Sequence, residues 1–154
     1  MRITTYRVEL NDERLNILVK ESGTNYPGQT LNNPESIVKM LNDLFYMDRL
    51  AEERIYILAM DKKSHPVGVF LVSKGTVSAS VLTPREVFIR LLLCGATSFV
   101  IIHNHPSGDP TPSNDDRFVT KRFVEVSKMV GIVILDHIVI GDGVYWSFKE
   151  HDDI

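Results

Sequence analysis

The 154-residue chain has one cysteine, Cys94, which excludes an internal disulfide framework and a thiolate metal cluster. No apolar run is long enough to cross a membrane as a helix. Residues 1–10 alternate polar and apolar side chains where a secretory leader would carry an apolar core. A soluble, cytoplasmic protein without membrane attachment is the expectation. A basic excess is missing too: 17 Lys and Arg stand against 20 Asp and Glu, for a net charge of −3. A chain that works mainly by gripping nucleic acid usually carries the opposite balance, so such a role is disfavoured unless a local patch hides in the average. Internal repeats and low-complexity tracts are also lacking. What remains is 44% hydrophobic residues, enough at this length for one real core.

Residues 2–9 alternate as a short strand, and the Gly, Asn and Pro cluster between Glu21 and Pro34 predicts a loop. Asn33 is a predicted N-cap, with Pro34 at the first helical position and Ile37, Val38, Leu41, Leu44 and Phe45 on one face. Residues 1–50 are therefore expected to form an N-terminal strand-loop-helix extension packed on a main domain of residues 51–154. There the continuous apolar run 55–60 predicts a strand buried on both faces, and 67–73 its returning partner. Thr83, Pro84 and Glu86 together predict a capped helix start, and the helix should end near Gly95. Residues 98–102 predict another buried strand. A helix follows from Ser113 to about Val130, then a strand over 132–140, a turn at Gly141-Asp142-Gly143 and a closing strand over 144–148. Interleaved elements of this kind imply an α/β fold with a mixed sheet, antiparallel hairpins, at least one βαβ crossover and covering helices.

The stretch His103-Asn104-His105-Pro106-Ser107-Gly108-Asp109-Pro110-Thr111-Pro112-Ser113-Asn114-Asp115-Asp116 carries the chemistry. Side chains two apart on a strand share a face, so His103 and His105 form a chelating pair. Two buried imidazoles without partners are costly, and one ion would satisfy both. With Asp116 they make a three-ligand zinc set whose fourth position stays open, the catalytic kind. The same donors also suit manganese, iron or nickel. Ser113 and Asp116 equally resemble a capping box, and the two roles can coexist. Asp109, between Gly108 and Pro110, is expected to serve a turn. His137 is expected to be a satisfied structural histidine, with a role supporting a ligand as the alternative. His65 and His151 should be exposed, and Cys94 should pack in the core.

The spacing His-x-His, seven residues, Ser, two residues, Asp resembles the JAMM (JAB/MPN+) metalloprotease motif, and its wording is similar to the RadC-like branch. Val72-Ser73-Lys74-Gly75-Thr76-Val77, Pro84-Arg85-Glu86-Val87-Phe88 and Leu135-Asp136-His137 extend the likeness over roughly residues 50–150. The resemblance implies a three-layer α/β/α sandwich related to cytidine deaminases. It also implies one zinc ion on His103, His105 and Asp116, with a water in the fourth position. Glu53, with Glu52 as fallback, would be the acid/base by position, and Ser113 would help hold an oxyanion. The implied activity is hydrolysis of a peptide or isopeptide bond by zinc-activated water. RadC-like proteins carry a helix-hairpin-helix region ahead of this domain, and the first fifty residues show no such pattern. That counts against a DNA-repair or nucleic-acid-processing role, the main rival. A zinc deaminase would need a second cysteine. A non-enzymatic scaffold would be expected to have lost the ligands, and all three are here. The HNH spelling of residues 103–105 is accidental, because HNH nucleases spread those residues over a longer segment.

Overall fold

The computed structural model describes residues 1–28, 30–75 and 82–154. Among them are seven strands, β1 (Arg2–Leu10), β2 (Asn16–Asn25), β3 (Arg54–Met60), β4 (Pro66–Lys74), β5 (Ser98–Asn104), β6 (Val133–Ile140) and β7 (Tyr145–Ser147). Three helices accompany them, α1 (Pro34–Phe45), α2 (Pro84–Leu93) and α3 (Asn114–Val130). The strands form one sheet in the order β2-β1-β4-β3-β5-β6-β7. Its pairings are antiparallel except β1 with β4 and β5 with β6. The β5–α3–β6 crossover makes the second of these parallel pairs, as such a pair requires. Thr76 and Val77, part of the stretch that resembles the RadC-like branch, lie outside the described residues.

Two apolar layers sandwich the sheet, and strand alternation assigns each residue to one of them. Tyr56, Leu58 and Met60 of β3 and Val100 and Ile102 of β5 pack with Ile37, Val38 and Leu41 of α1. Ile55, Ile57 and Ala59 of β3 and Phe99 and Ile101 of β5 pack with Val87, Phe88 and Leu91 of α2 and Val119 and Phe123 of α3. Phe88, Phe99 and Phe123 meet one another at ring-centroid distances of 5.7–6.2 Å. The result is the expected three-layer arrangement, a mixed seven-stranded sheet between helices.

Two expectations need correction. The segment 21–25 is not loop: it finishes β2, which pairs antiparallel with β1 along its length. Its polar and glycine residues sit on a largely exposed edge strand, where backbone pairing needs no apolar alternation. Thr83 occupies the N-cap position of α2, but its side chain makes no capping hydrogen bond. Glu86 is instead drawn to Arg85 at 2.6 Å and Arg90 at 3.6 Å. The other caps follow the sequence. Asn33 Oδ1 accepts from Ser36 N–H, and Gly131 closes α3 in the left-handed conformation at φ 79°.

Candidate metal centre

Phe99 and Ile101 face α2 and α3, so alternation turns His103 the same way, toward the first turn of α3. Pairing of β3 with β5 sets Ile55 opposite His103. Continuing that register brings Glu53, just before β3, alongside His105. The segment from Pro106 to Pro112 then returns the chain to Ser113, the N-cap of α3, and Asp116 follows in its first turn.

The donor atoms converge. His103 Nε2 and His105 Nε2 are 3.1 Å apart. Asp116 Oδ1 lies 3.1 Å from the first and Oδ2 3.5 Å from the second. Glu53 Oε1 is 3.9 Å and 3.8 Å from the same two nitrogens. Adjacent ligands of a tetrahedral zinc with bonds of 2.0–2.1 Å stand about 3.3 Å apart; the histidine pair is close to that edge, Asp116 meets each nitrogen with a different oxygen, and Glu53 Oε1 stands further out. Glu53, His103 and His105 thus form a cluster that could hold a metal ion. Of the two candidate glutamates, Glu53 faces this cluster, whereas Glu52 turns to Arg54 at 3.1 Å. A surface groove lined by Glu53, His105, Pro106, Ser107, Ser113, Asp115 and Asp116 gives access to it.

The histidine protons are set by their other nitrogens. The Asp109 main-chain carbonyl can only accept, so His105 donates to it from Nδ1 at 2.8 Å, and in the neutral ring Nε2 is the lone pair. Asp109 also makes the expected turn, its carboxylate accepting from Thr111 N–H. His103 Nδ1 lies 2.9 Å from His137 Nε2, and His137 Nδ1 lies 2.6 Å from the Thr120 hydroxyl. His137 is buried and its ring stacks on Phe148 at 4.8 Å. Burial, then the neighbouring His103, pushes its pKa well down against the counter-pull of Asp116, so it is neutral.

Asp116 is held by a complete capping box. Ser113 N–H and hydroxyl both donate to Oδ2 at 2.7 Å, and Asp116 N–H donates back to Ser113 Oγ at 3.1 Å. Burial opposes its ionisation, yet hydrogen bonds from His103, His105 and Ser113 hold its carboxyl far below the ordinary carboxylate range. Both sequence readings of the Ser113–Asp116 pair therefore describe one geometry, a cap that also aims the carboxylate at the imidazoles.

Two contributors were not singled out in the sequence. Asn104, on the opposite face of β5, accepts from Arg54 N–H at 2.8 Å and donates to the Glu52 carbonyl at 3.2 Å. It thereby clamps the backbone on both sides of Glu53. Thr120, buried at 1% exposure, links α3 to His137. The available signal was a polar side chain at a position that pattern alone makes internal. His65 is exposed beside Asp61 and His151 stacks on Trp146, both outside the cluster. Cys94 is partly buried at the end of α2, its thiol directed to the Leu91 carbonyl.

The profile of the RadC-like JAB domain matches residues 31–153, from the approach to α1 to the end of the chain's last turn. The chain belongs to the RadC-like JAB domain family. Similar curated proteins are named UPF0758 proteins. One from Clostridium acetobutylicum is 46% identical over 99 residues, 64% of this chain and 43% of its own length. One from Symbiobacterium thermophilum is 41% identical over 120 residues, 78% of this chain and 50% of its own. One from Caldanaerobacter subterraneus is 37% identical over 134 residues, 87% of this chain and 55% of its own. This RadC-like chain thus spans about half the length of the curated relatives it matches. No helix among the described residues is long and apolar enough to cross a membrane.

Proposed function

We propose that this RadC-like domain is a zinc-dependent hydrolase that cleaves an amide bond, in a peptide or an isopeptide. The observation that carries the reading is the convergence of His103 Nε2, His105 Nε2 and the Asp116 carboxylate within 3.1–3.5 Å, with Glu53 Oε1 just beyond. In this reading His103, His105 and Asp116 hold the ion. When bound, a divalent ion supplies Lewis acidity, polarising a carbonyl and lowering the pKa of water toward about 7.

The remaining chemistry belongs to the chain. Glu53 Oε1, standing back from the ligand edges, takes a proton from the attacking water and returns it to the leaving amine, first base and then acid. Asn104 keeps Glu53 at that distance through its two backbone contacts. Ser113 lines the same groove, but its hydroxyl proton is given to Asp116 Oδ2. It supports an oxyanion only after turning from that carboxylate, so its standing contribution is to orient Asp116.

Glu53→Gln tests the reading. Zinc content should match the parent, and hydrolysis of a peptide- or isopeptide-linked fluorogenic substrate should fall by about 10²–10⁴-fold. A metal-loaded Glu53→Gln protein that cleaves as fast as the parent removes Glu53 from the mechanism. A loaded parent that leaves amides intact and processes nucleic acid overturns the amide assignment.

A further inference from the structure

Two side chains outside the donor set are joined to it in a way that fixes where one proton resides. The Asp116 main-chain carbonyl has no proton to give, so the Thr120 hydroxyl, 2.7 Å away, donates to it. With that proton committed, Thr120 Oγ1 can only accept from His137 Nδ1 at 2.6 Å. A neutral His137 with its proton on Nδ1 has a lone pair on Nε2. That lone pair faces His103 Nδ1 at 2.9 Å, which must then carry a proton. In the neutral imidazole His103 Nε2 is then the bare nitrogen; it points toward His105 and Asp116, and a proton shared there with Asp116 is the one an ion displaces.

We propose that Thr120 and His137 are positioning residues of the metal centre: their directed hydrogen bonds lock His103 as the Nδ1–H tautomer and so present its Nε2 to an ion. The inference rests on the reading of His103 as a ligand given under "Proposed function". His105 receives the same tautomer from a separate source, the Asp109 carbonyl. The two imidazoles are therefore prepared independently, one by a loop and one by the α3–β6 contact. If Thr120 lost its hydroxyl, His137 Nδ1–H would have no acceptor. The alternative tautomer would donate from Nε2 to His103 Nδ1, moving the His103 proton to Nε2 and blocking ligation.

Threonine and valine have nearly the same shape, which separates the hydroxyl from packing. Zinc affinity of the full chain is measured by competition with a chromophoric chelator, and cobalt(II) absorption reports the donor set. Thr120→Val should bind zinc about 10–100-fold more weakly than the parent and show an altered cobalt spectrum. Thr120→Ser, which keeps the hydroxyl and loses the methyl, should stay close to the parent in both. His137→Phe, which keeps a ring against Phe148 but has no acceptor, should behave like Thr120→Val. Circular dichroism establishes that each variant is folded. If Thr120→Val matches the parent while Thr120→Ser is the weak one, the contact is packing and the proposal is wrong. If His137→Phe is folded and binds as tightly as the parent, it is wrong as well. A parent that takes up neither ion removes the metal reading itself, and this proposal with it; a binding parent with unaffected variants removes the proposal alone.

Discussion

Asp116 and His105 share contacts that move their titrations in opposite directions. The Asp116 carboxyl lies far below its ordinary 3.8, its hydrogen bonds overcoming burial. His105 lies above its ordinary 6.5, raised first by its hydrogen bond to Asp116 against the opposing effect of burial, then by the Asp109 carbonyl and the charges of Asp116 and Glu53. A raised histidine contributes stability in full below 6.5 and loses it as pH rises through the folded value. A depressed carboxyl contributes above 3.8 and loses its share only in strong acid. Buried His137, with its pKa pushed down, works the other way below 6.5, where the unfolded chain takes up a proton that the fold refuses. Chelator-treated protein should therefore lose Tm only as pH climbs past neutrality. Zinc displaces the His105 proton, so the gain in Tm on adding zinc should grow over the same interval. Melts between about pH 5 and about pH 8, with and without zinc, check both directions. Of the residues involved, the two histidines and Asp116 were legible from spacing, because strand period and helix start are local properties. Asn104 and Thr120 were not, because their partners lie 50 and 17 residues away and are set by sheet register and helix packing.

Among the elements, β5 and α3 were the most legible. An unbroken apolar run followed by His-x-His, and a serine cap with Gly131 at the far end, leave little freedom in either. β2 was missed because an exposed edge strand pairs through its backbone and shows no apolar period. The turn after β6 was expected from its glycines, but only the fold explains why Gly141 is one of them. A methyl group there would overlap the Gly108 carbonyl oxygen and stand 3.0 Å from Pro110 Cδ. Asp142 N–H also donates to that Gly108 carbonyl at 3.0 Å, so the β6–β7 turn props the loop that leaves His105. Gly141→Ala should lower stability by about 1–3 kcal/mol through overpacking against backbone. It should also weaken zinc binding by displacing that loop. Urea denaturation and chelator competition measure the two effects.

At the scale of the whole molecule, one sheet carries both the core and the site. Phe123 is fully buried among Phe88 and Phe99, on the α3 face that also presents Thr120. Phe123→Ala should cost about 3–5 kcal/mol of unfolding free energy, read from the shift in denaturant midpoint. The layered α/β class was legible because buried strands and capped helices alternate along the chain. The sheet order was not, because it depends on which strands meet across long connections.

The aspartate of α3 enters the centre twice, by its carboxylate at His103 and by its main-chain oxygen at Thr120. Followed from one to the other, the contacts run Asp116, His103, His137, Thr120 and back to Asp116, a closed circuit spanning β5, β6 and α3. A circuit has no loose end from which to fray. These three elements are thereby spliced into one mechanical unit.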